Sequence, residues 1–102
     1  MIKSGVDLRN IQPQMAIAYS IAVAIYQLHA GVPCWITAAF DGTHMTNTLH
    51  QRDGLCRALD LRTSNVIPEQ LQLVYTKLKE ALGSQFDVIL EKDHIHVEFD
   101  PK

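Results

Sequence analysis

Four of the five histidines of this 102-residue chain form two groups that could bind a metal ion. His44 and His50 lie in a polar central segment, and His94 and His96 lie in a run of alternating residues near the end. Residues two apart on a strand share a face, so His94 and His96 project together, and folding could bring them against His50 and Asp60. Two neutral imidazoles and one carboxylate are typical of hydrolytic zinc sites, where a fourth position binds water. The pattern is therefore consistent with a zinc site, but a His-x-His pair on a strand is more often an exposed alternation than a metal site, so the spacing alone does not decide between the two.

The two cysteines are weaker candidates for chemistry. Cys56 and Asp60 are four strand positions apart, which is roughly 13 Å at the rise of a strand and too far to share one ion. Cys34 could be a nucleophile paired with a histidine, but it begins an apolar strand, where a buried and inert thiol is more common. We expect two free thiols, because two cysteines do not make a disulfide framework in a chain able to build its own core.

A long apolar helix precedes these residues. Its apolar positions recur every three or four residues, with Pro13 near the first turn and Gly31 just past the end, which predicts a helix over residues 12–29. Its most apolar part, residues 15–26, is interrupted by Ser20 and is well short of the ~20 residues needed to cross a bilayer. No convincing signal-peptide cleavage site follows, so we expect no transmembrane segment and a protein that is cytoplasmic as synthesised.

A second helix and four strands complete the predicted elements. Ser64 or Asn65 is expected to cap the helix, with Pro68 in its first turn and Gly83 at its end. Four β-type runs are predicted to be strands: 35–40, 57–62, 86–91 and 94–99. The last two are separated by two residues, the length of a tight hairpin connection. The order lacks regular alternation and predicts an α+β fold, an antiparallel sheet with helices packed on it, in one domain over residues 1–102.

Composition argues against one class of partner. The chain carries nine basic and eleven acidic residues, a formal net charge of -2, and no cluster of Lys and Arg longer than a dipeptide. It therefore has no surplus of positive charge with which to neutralise a phosphate backbone. Nucleic acid is not expected as a partner, and the oligomeric state is left open.

The central and C-terminal motifs resemble the superfamily of zinc D-Ala-D-Ala carboxypeptidases and L-alanyl-D-glutamate endopeptidases, which share the Hedgehog/DD-peptidase fold. The resemblance covers the chain from about residue 35 to residue 101, and small phage-encoded members look most similar. It rests on these residues: Thr48-Leu49-His50, Gly54, Ala58-Leu59-Asp60-Leu61-Arg62, and the ending from Glu91 to Glu98. The family pattern is Ser-x-His, a spacer with Gly, Ala-x-Asp, and a later histidine ending.

The resemblance implies one zinc ion and a role for individual residues. The zinc ligands of the family correspond to His50, Asp60 and His96. The general base is an acidic residue three positions before the last ligand, which is Asp93. His94 would then assist catalysis, in support of a ligand or of the reaction intermediate.

An alternative assignment shifts the last motif by two residues. Glu91 is also three positions before a histidine, His94, so that histidine could bind zinc with Glu91 as the base. We favour His96 as the ligand. Glu98, on the same predicted strand face, is a further candidate to support a ligand, although exposed carboxylates are common on strands.

Three departures from the family pattern bear on this assignment. Thr48 replaces the usual Ser and keeps a hydroxyl near the substrate. Ten positions separate His50 from Asp60, three more than is common in the family, and a displaced His50 would leave His44 as the reserve ligand. The family's upstream arginine has no counterpart. Arg57 is the substitute we name for substrate binding, with Arg52 and Arg62 as alternatives.

The implied function is zinc-dependent hydrolysis of an amide bond in peptidoglycan stem peptides. The bond would be L-Ala-D-Glu or one next to D-Ala, and a phage member would act as a lysis enzyme on the bacterial cell wall. Two alternatives come from other classes: a zinc-containing domain that binds cell-wall peptide without cutting it, and a virion structural domain that keeps the fold. Metal content and turnover distinguish the three.

Overall fold

The first helix, α1, is Pro13–Ala30 in the computed structural model, which describes residues 1–39 and 56–101. Proline in the first turn suits a helix start, because its missing N–H would have no partner there. Gly31 ends the helix in the left-handed region with φ 66°, and its N–H bonds to the carbonyl of Gln27. The buried positions are three or four residues apart and form one face: Met15, Ala18, Ala22 and Tyr26. The predicted helix over 12–29 is thus displaced by one residue at each end.

The second helix, α2, is Pro68–Leu82 and buries Val74 and Leu78. The predicted side-chain cap is wrong: the residue before the helix is Ile67, and no side chain caps the first turn. Asn65 donates its amide hydrogen to the carbonyl of Pro33 at 2.9 Å instead. The side chain predicted to cap α2 therefore ties the connection before that helix to the segment preceding the first strand.

Four antiparallel strands form one sheet, and the two helices contact each other and the sheet. In chain order the strands are β1 Ile36–Ala38, β2 Ala58–Arg62, β3 Phe86–Leu90 and β4 His94–Phe99. Their order across the sheet is β1-β2-β4-β3, so the final hairpin lies beside β2. The α+β class and antiparallel sheet expected from the sequence are confirmed. Strand β1 is shorter than predicted within the described residues, and β2 and β3 differ from their predicted ranges by one residue.

The two faces of β2 and β4 differ in chemistry because side chains alternate along a strand. One face joins the hydrophobic core with the helices, and from these strands it receives Leu59, Leu61, Ile95 and Val97. The opposite face carries the polar residues, and from these strands it receives Asp60, Arg62, His94, His96 and Glu98. The sheet therefore separates the hydrophobic core from a polar surface on which carboxylates and imidazoles lie close together.

The N-terminal segment pairs with the edge of the sheet. Ile2 forms a parallel bridge with Ile36, and the N–H of Lys3 bonds to the carbonyl of Ile36 at 2.9 Å. A second parallel bridge joins Ile11 to Cys56, just before β2. These contacts bring the first residues of the chain next to β1 and β2. Neither helix of the described part of the chain combines the length and the apolar character that a membrane span requires.

Candidate functional site

Asp60 and His96 form the centre of the polar sheet face. They are paired residues of β2 and β4, and 2.9 Å separates Oδ1 of the carboxylate from Nδ1 of the imidazole. Both side chains are largely buried, with 11% of Asp60 and 16% of His96 exposed. A carboxylate so far removed from water needs a charged or hydrogen-bonding partner, and His96 is one such partner.

Glu98 holds the other nitrogen of His96. Its Oε1 lies 2.5 Å from Nε2 of the imidazole, so His96 stands between two carboxylates. Burial alone lowers the pKa of His96, but the hydrogen bonds and charges of Asp60 and Glu98 outweigh burial and raise the pKa above its usual value. This arrangement orients the ring firmly. A metal-ligating histidine is commonly oriented by a carboxylate that accepts a hydrogen bond from its second nitrogen.

His94 lies two residues before His96, on the same strand face, and bridges Asp60 and Asp93. Its Nε2 is 3.7 Å from Oδ1 of Asp60, and its Nδ1 is 2.6 Å from Oδ1 of Asp93. The hydrogen bond from His94 and the nearby imidazole charge lower the pKa of the Asp93 carboxyl. Asp93 is 81% exposed in the hairpin turn, so its carboxylate is ionised and accessible at neutral pH.

A polar pocket of about 510 Å³ opens beside these residues. The pocket contains three residues of the predicted site, Asp60, Asp93 and His94, so the predicted ligand, base and assisting histidine share one cavity. Its remaining lining residues come from the N-terminal segment, β1 and the end of β2: Lys3, Thr37, Arg62 and Ser64. The cavity is large enough for part of a peptide and presents both carboxylates and cations.

Asp60 and the two histidines offer donor types that zinc accepts, a carboxylate oxygen and imidazole nitrogens. Two ligands of a tetrahedral zinc ion with bonds of about 2.0–2.1 Å lie roughly 3.3 Å apart. The distances from Asp60 Oδ1 to His96 Nδ1 and His94 Nε2, 2.9 and 3.7 Å, fall on either side of that value. Asp60 with His96 therefore fits two positions of such a site, and Glu98 fits the orienting carboxylate.

A second group of potential ligands shares Glu98 with the residues around His96 and includes its partner in β3, Asp87. Among residues 1–39 and 56–101, Asp87, Glu98 and Asp100 are the only three whose ligand atoms all fall within 4.8 Å of one another. Asp60, His94 and His96 do not meet that spacing as a set of three. The carboxylate group is half-buried and contains oxygen donors only, which suits harder cations than zinc.

Several predicted residues lie elsewhere. His50, His44 and Thr48 are outside the described residues, so the third ligand, its reserve and the predicted hydroxyl have no described position. Arg57 is half-buried before β2, where its carbonyl accepts a hydrogen bond from Phe99, and it does not line the pocket. Glu91 is exposed, and its backbone N–H bonds to the carbonyl of His94 across the hairpin.

Both cysteines belong to the core. Cys34 and Cys56 are free thiols with 1% and 0% of their surfaces exposed. Burial raises the pKa of the Cys34 thiol to about 12, which keeps it protonated at neutral pH. A protonated, enclosed thiol is a poor nucleophile, in agreement with the expectation that these residues pack rather than react.

Three residues that line the pocket were not predicted as site residues: Lys3, Thr37 and Ser64. The resemblance begins near residue 35, and no local pattern indicates that the N-terminal segment pairs with β1. Arg62, named only as an alternative to Arg57, is the arginine that lines the pocket. Its position follows from strand alternation, because Asp60 and Arg62 are two apart in β2 and share a face.

Comparison with known proteins adds no relative. No protein-family model matches the sequence, and a search of curated proteins finds no significant match.

Proposed function

We propose that this protein is a zinc-dependent peptidase of the Hedgehog/DD-peptidase type that hydrolyses an amide bond in peptidoglycan stem peptides. The observation that carries the proposal is that Asp60, His94 and His96 meet on one sheet face, with Asp93 of the adjoining turn bonded to His94, and that three of these four residues line the pocket. These are four of the residues to which the motif resemblance assigns metal binding and catalysis, and they come from two strands and a turn. The substrate class rests on the resemblance alone.

The proposed metal ligands are Asp60, His96 and His50. When bound, a zinc ion would polarise the scissile carbonyl and increase the acidity of water in the pocket. Glu98 would accept the hydrogen bond from Nε2 of His96 and so keep Nδ1 directed at the metal position next to Asp60. The sheet ladder between β2 and β4 holds this pair at a fixed separation.

Asp93 is the proposed general base. Its Oδ1 is held by Nδ1 of His94, which leaves Oδ2 to accept a proton from water in the pocket and to return it to the leaving amine. This carboxylate is ionised at neutral pH, as a base must be, and its lowered pKa makes it a weaker base than an unperturbed aspartate. His94 acts as a positioning residue, because it fixes the direction of the Asp93 carboxylate while its other nitrogen faces Asp60.

The test combines metal content with turnover. Zinc would be measured by elemental analysis on protein purified without chelator, for the wild type and for Asp60→Ala, His96→Ala and Asp87→Ala. Release of new amino groups from purified peptidoglycan would be followed in parallel. Asp87→Ala is the matched control, since Asp87 belongs to the carboxylate group and not to the proposed site. Circular dichroism would verify that each variant is folded.

We expect about one zinc ion per chain in the wild type and in Asp87→Ala, loss of zinc in the other two variants, and amine release only where zinc is retained. Zinc without amine release would contradict the peptidase and identify a metal-containing binding domain. Loss of the metal in Asp87→Ala alone would show that the metal binds to the carboxylate group rather than to the proposed site. A folded wild type without zinc would overturn the proposal and would favour the alternative of a virion structural domain.

A further inference from the structure

Two basic residues, Lys3 and Arg62, line the pocket that contains Asp60, Asp93 and His94. Neither cation forms an ion pair with a carboxylate of residues 1–39 or 56–101, although two aspartates line the same cavity. Cations that are not neutralised within a cavity favour an anionic ligand group there. The pocket thus contains two basic side chains in addition to its carboxylates and imidazole, and one of them, Arg62, is the cross-strand partner of His94.

Arg62 is held in place by several contacts. Its guanidinium carbon lies 5.1 Å from the centroid of the Trp35 ring, a cation–π distance. Its backbone N–H bonds to the carbonyl of Trp35 at 2.9 Å, and its carbonyl accepts the hydroxyl hydrogen of Tyr26 at 2.8 Å. The two backbone bonds fix the main chain of Arg62, the ring contact positions its guanidinium, and the guanidinium geometry suits bidentate binding of a planar carboxylate.

Lys3 reaches the pocket because the N-terminal segment pairs with β1. Its backbone N–H bonds to the carbonyl of Ile36, and the N–H of Ile36 bonds to the carbonyl of Met1. These two backbone bonds and the parallel bridge from Ile2 to Ile36 place the lysine beside the sheet edge. Thr37 and Ser64 also line the pocket; the Thr37 hydroxyl donates to the carbonyl of Asp60, and Ser64 adds a second hydroxyl group.

We propose that Lys3 and Arg62 form a carboxylate-binding subsite for the residue that follows the scissile bond. The proposal rests on the proposed peptidase function and makes its substrate more specific. Both candidate bonds are followed by a residue with a free α-carboxylate: D-Glu, which continues the stem through its γ-carboxyl, and a terminal D-Ala. The subsite accounts for recognition of either residue and predicts that amidation of this carboxylate weakens binding.

Two pairs of short peptides test the subsite directly. One pair is N-acetyl-L-Ala-D-Glu with its γ-carboxyl capped as a methylamide, with the α-carboxyl either free or converted to a carboxamide. The other pair is N-acetyl-D-Ala-D-Ala and its C-terminal carboxamide. Within each pair only the charge of one group changes. Binding to the zinc-loaded protein would be measured by NMR titration, and hydrolysis by release of the C-terminal residue.

The variants are Lys3→Ala and Arg62→Gln, with Arg62→Lys as the conservative change and Lys92→Ala as the matched control. Lys92 is an exposed lysine of the hairpin turn that does not line the pocket. We expect the wild type and Lys92→Ala to bind the free carboxylate of at least one pair about tenfold more tightly than the carboxamide. Lys3→Ala and Arg62→Gln should lose most of that preference, and Arg62→Lys should keep part of it.

The outcomes separate this inference from the peptidase proposal. Preference for the carboxylate without hydrolysis would support the subsite and contradict the peptidase. Hydrolysis of both members of a pair with equal KM would contradict the subsite and support the peptidase. A wild-type preference that survives in both Lys3→Ala and Arg62→Gln would also overturn the subsite, because the charge would then be recognised by other residues.

Discussion

Asp60 and His96 are direct cross-strand partners, and the 2.9 Å between their Oδ1 and Nδ1 atoms is set by the sheet itself. Opposed residues on one face of an antiparallel pair have Cβ atoms about 4.5–5.5 Å apart, which suits contact between a carboxylate and an imidazole. Five consecutive residue pairs fix this register between β2 and β4. The centre of the candidate site is therefore built on the two inner strands of the sheet.

Removal of the Glu98 carboxylate should weaken zinc binding. Glu98 lies 2.5 Å from Nε2 of His96 and orients the ring, so Glu98→Ala should lower zinc affinity by about 10–100-fold, the usual cost of losing such a partner. Competition with a chromophoric chelator would measure the affinity. Glu80→Ala, an exposed change on α2, is the control and should bind zinc like the wild type. Equal affinity of both variants would argue against an orienting role.

Replacement of the proposed base should abolish turnover without loss of metal. Asp93→Asn removes the proton acceptor and should reduce kcat by about 10²–10⁴-fold while zinc content stays unchanged. Glu91→Gln, two residues earlier, should have little effect if His96 is the ligand. The comparison decides between the two assignments of the final motif. A large loss in Glu91→Gln with an active Asp93→Asn would reverse the roles.

His96 should make the stability of the metal-free protein depend on pH. Its folded pKa is raised by Asp60 and Glu98 despite burial, so its contribution is fully present below its ordinary value near 6.5 and is lost as the pH rises through the folded pKa. The unfolding free energy of chelator-treated protein, measured by urea denaturation from pH 5.5 to 8.5, should fall more in the wild type than in His96→Gln. Parallel profiles would contradict the raised pKa.

The cysteines should be inert in the folded state. With its pKa raised to about 12 and 1% of its surface exposed, Cys34 should not react with a thiol-specific reagent at pH 7.5, and the enclosed Cys56 should not react either. Both thiols should react after denaturation in guanidinium. Cys34→Ala should retain turnover within about twofold and lose on the order of 1 kcal/mol of stability. Fast labelling of the native protein, or inactivity of folded Cys34→Ala, would support a role for Cys34 as a nucleophile.

Loss of one buried hydroxyl should destabilise the fold. The Tyr26 hydroxyl donates to the carbonyl of Arg62 at 2.8 Å and joins α1 to the end of β2. Tyr26→Phe should lower the unfolding free energy by about 1 kcal/mol. Tyr75→Phe, which removes a longer bond of 3.2 Å to the carbonyl of Val88, is the matched comparison and should cost less. Equal costs would show that the Tyr26 bond is not the stronger constraint.

The sequence predicts the regular elements well because their signals are local. Apolar spacing and the flanking Pro13 and Gly31 define α1, and alternation around a two-residue turn defines the β3–β4 hairpin. The capping prediction failed because Asn65 bonds to Pro33, which is distant in the chain. A side chain suited to capping has more than one possible acceptor, and tertiary contacts decide which one it uses.

The candidate site was only partly predictable for the same reason. Strand alternation places Asp60, His94 and His96 on faces that can meet, but only the register of β2 against β4 brings Asp60 opposite His96. The bridge from Ile2 to Ile36 has no local sequence signal, and Lys3 was missed with it. Strand pairing between remote segments depends on the whole fold, whereas periodicity reports only neighbours.

The alternation of β2 and β4 also limits how this sequence can change in evolution. In both strands the even-numbered residues face the polar side and the odd-numbered residues face the core. Insertion of one residue just before His96 would exchange those faces for the rest of the strand, turning its imidazole toward the leucines and a core residue toward the pocket. Insertion or deletion of a single residue within β4 is therefore incompatible with this fold. The connections outside the sheet, in contrast, can change in length by one residue at a time.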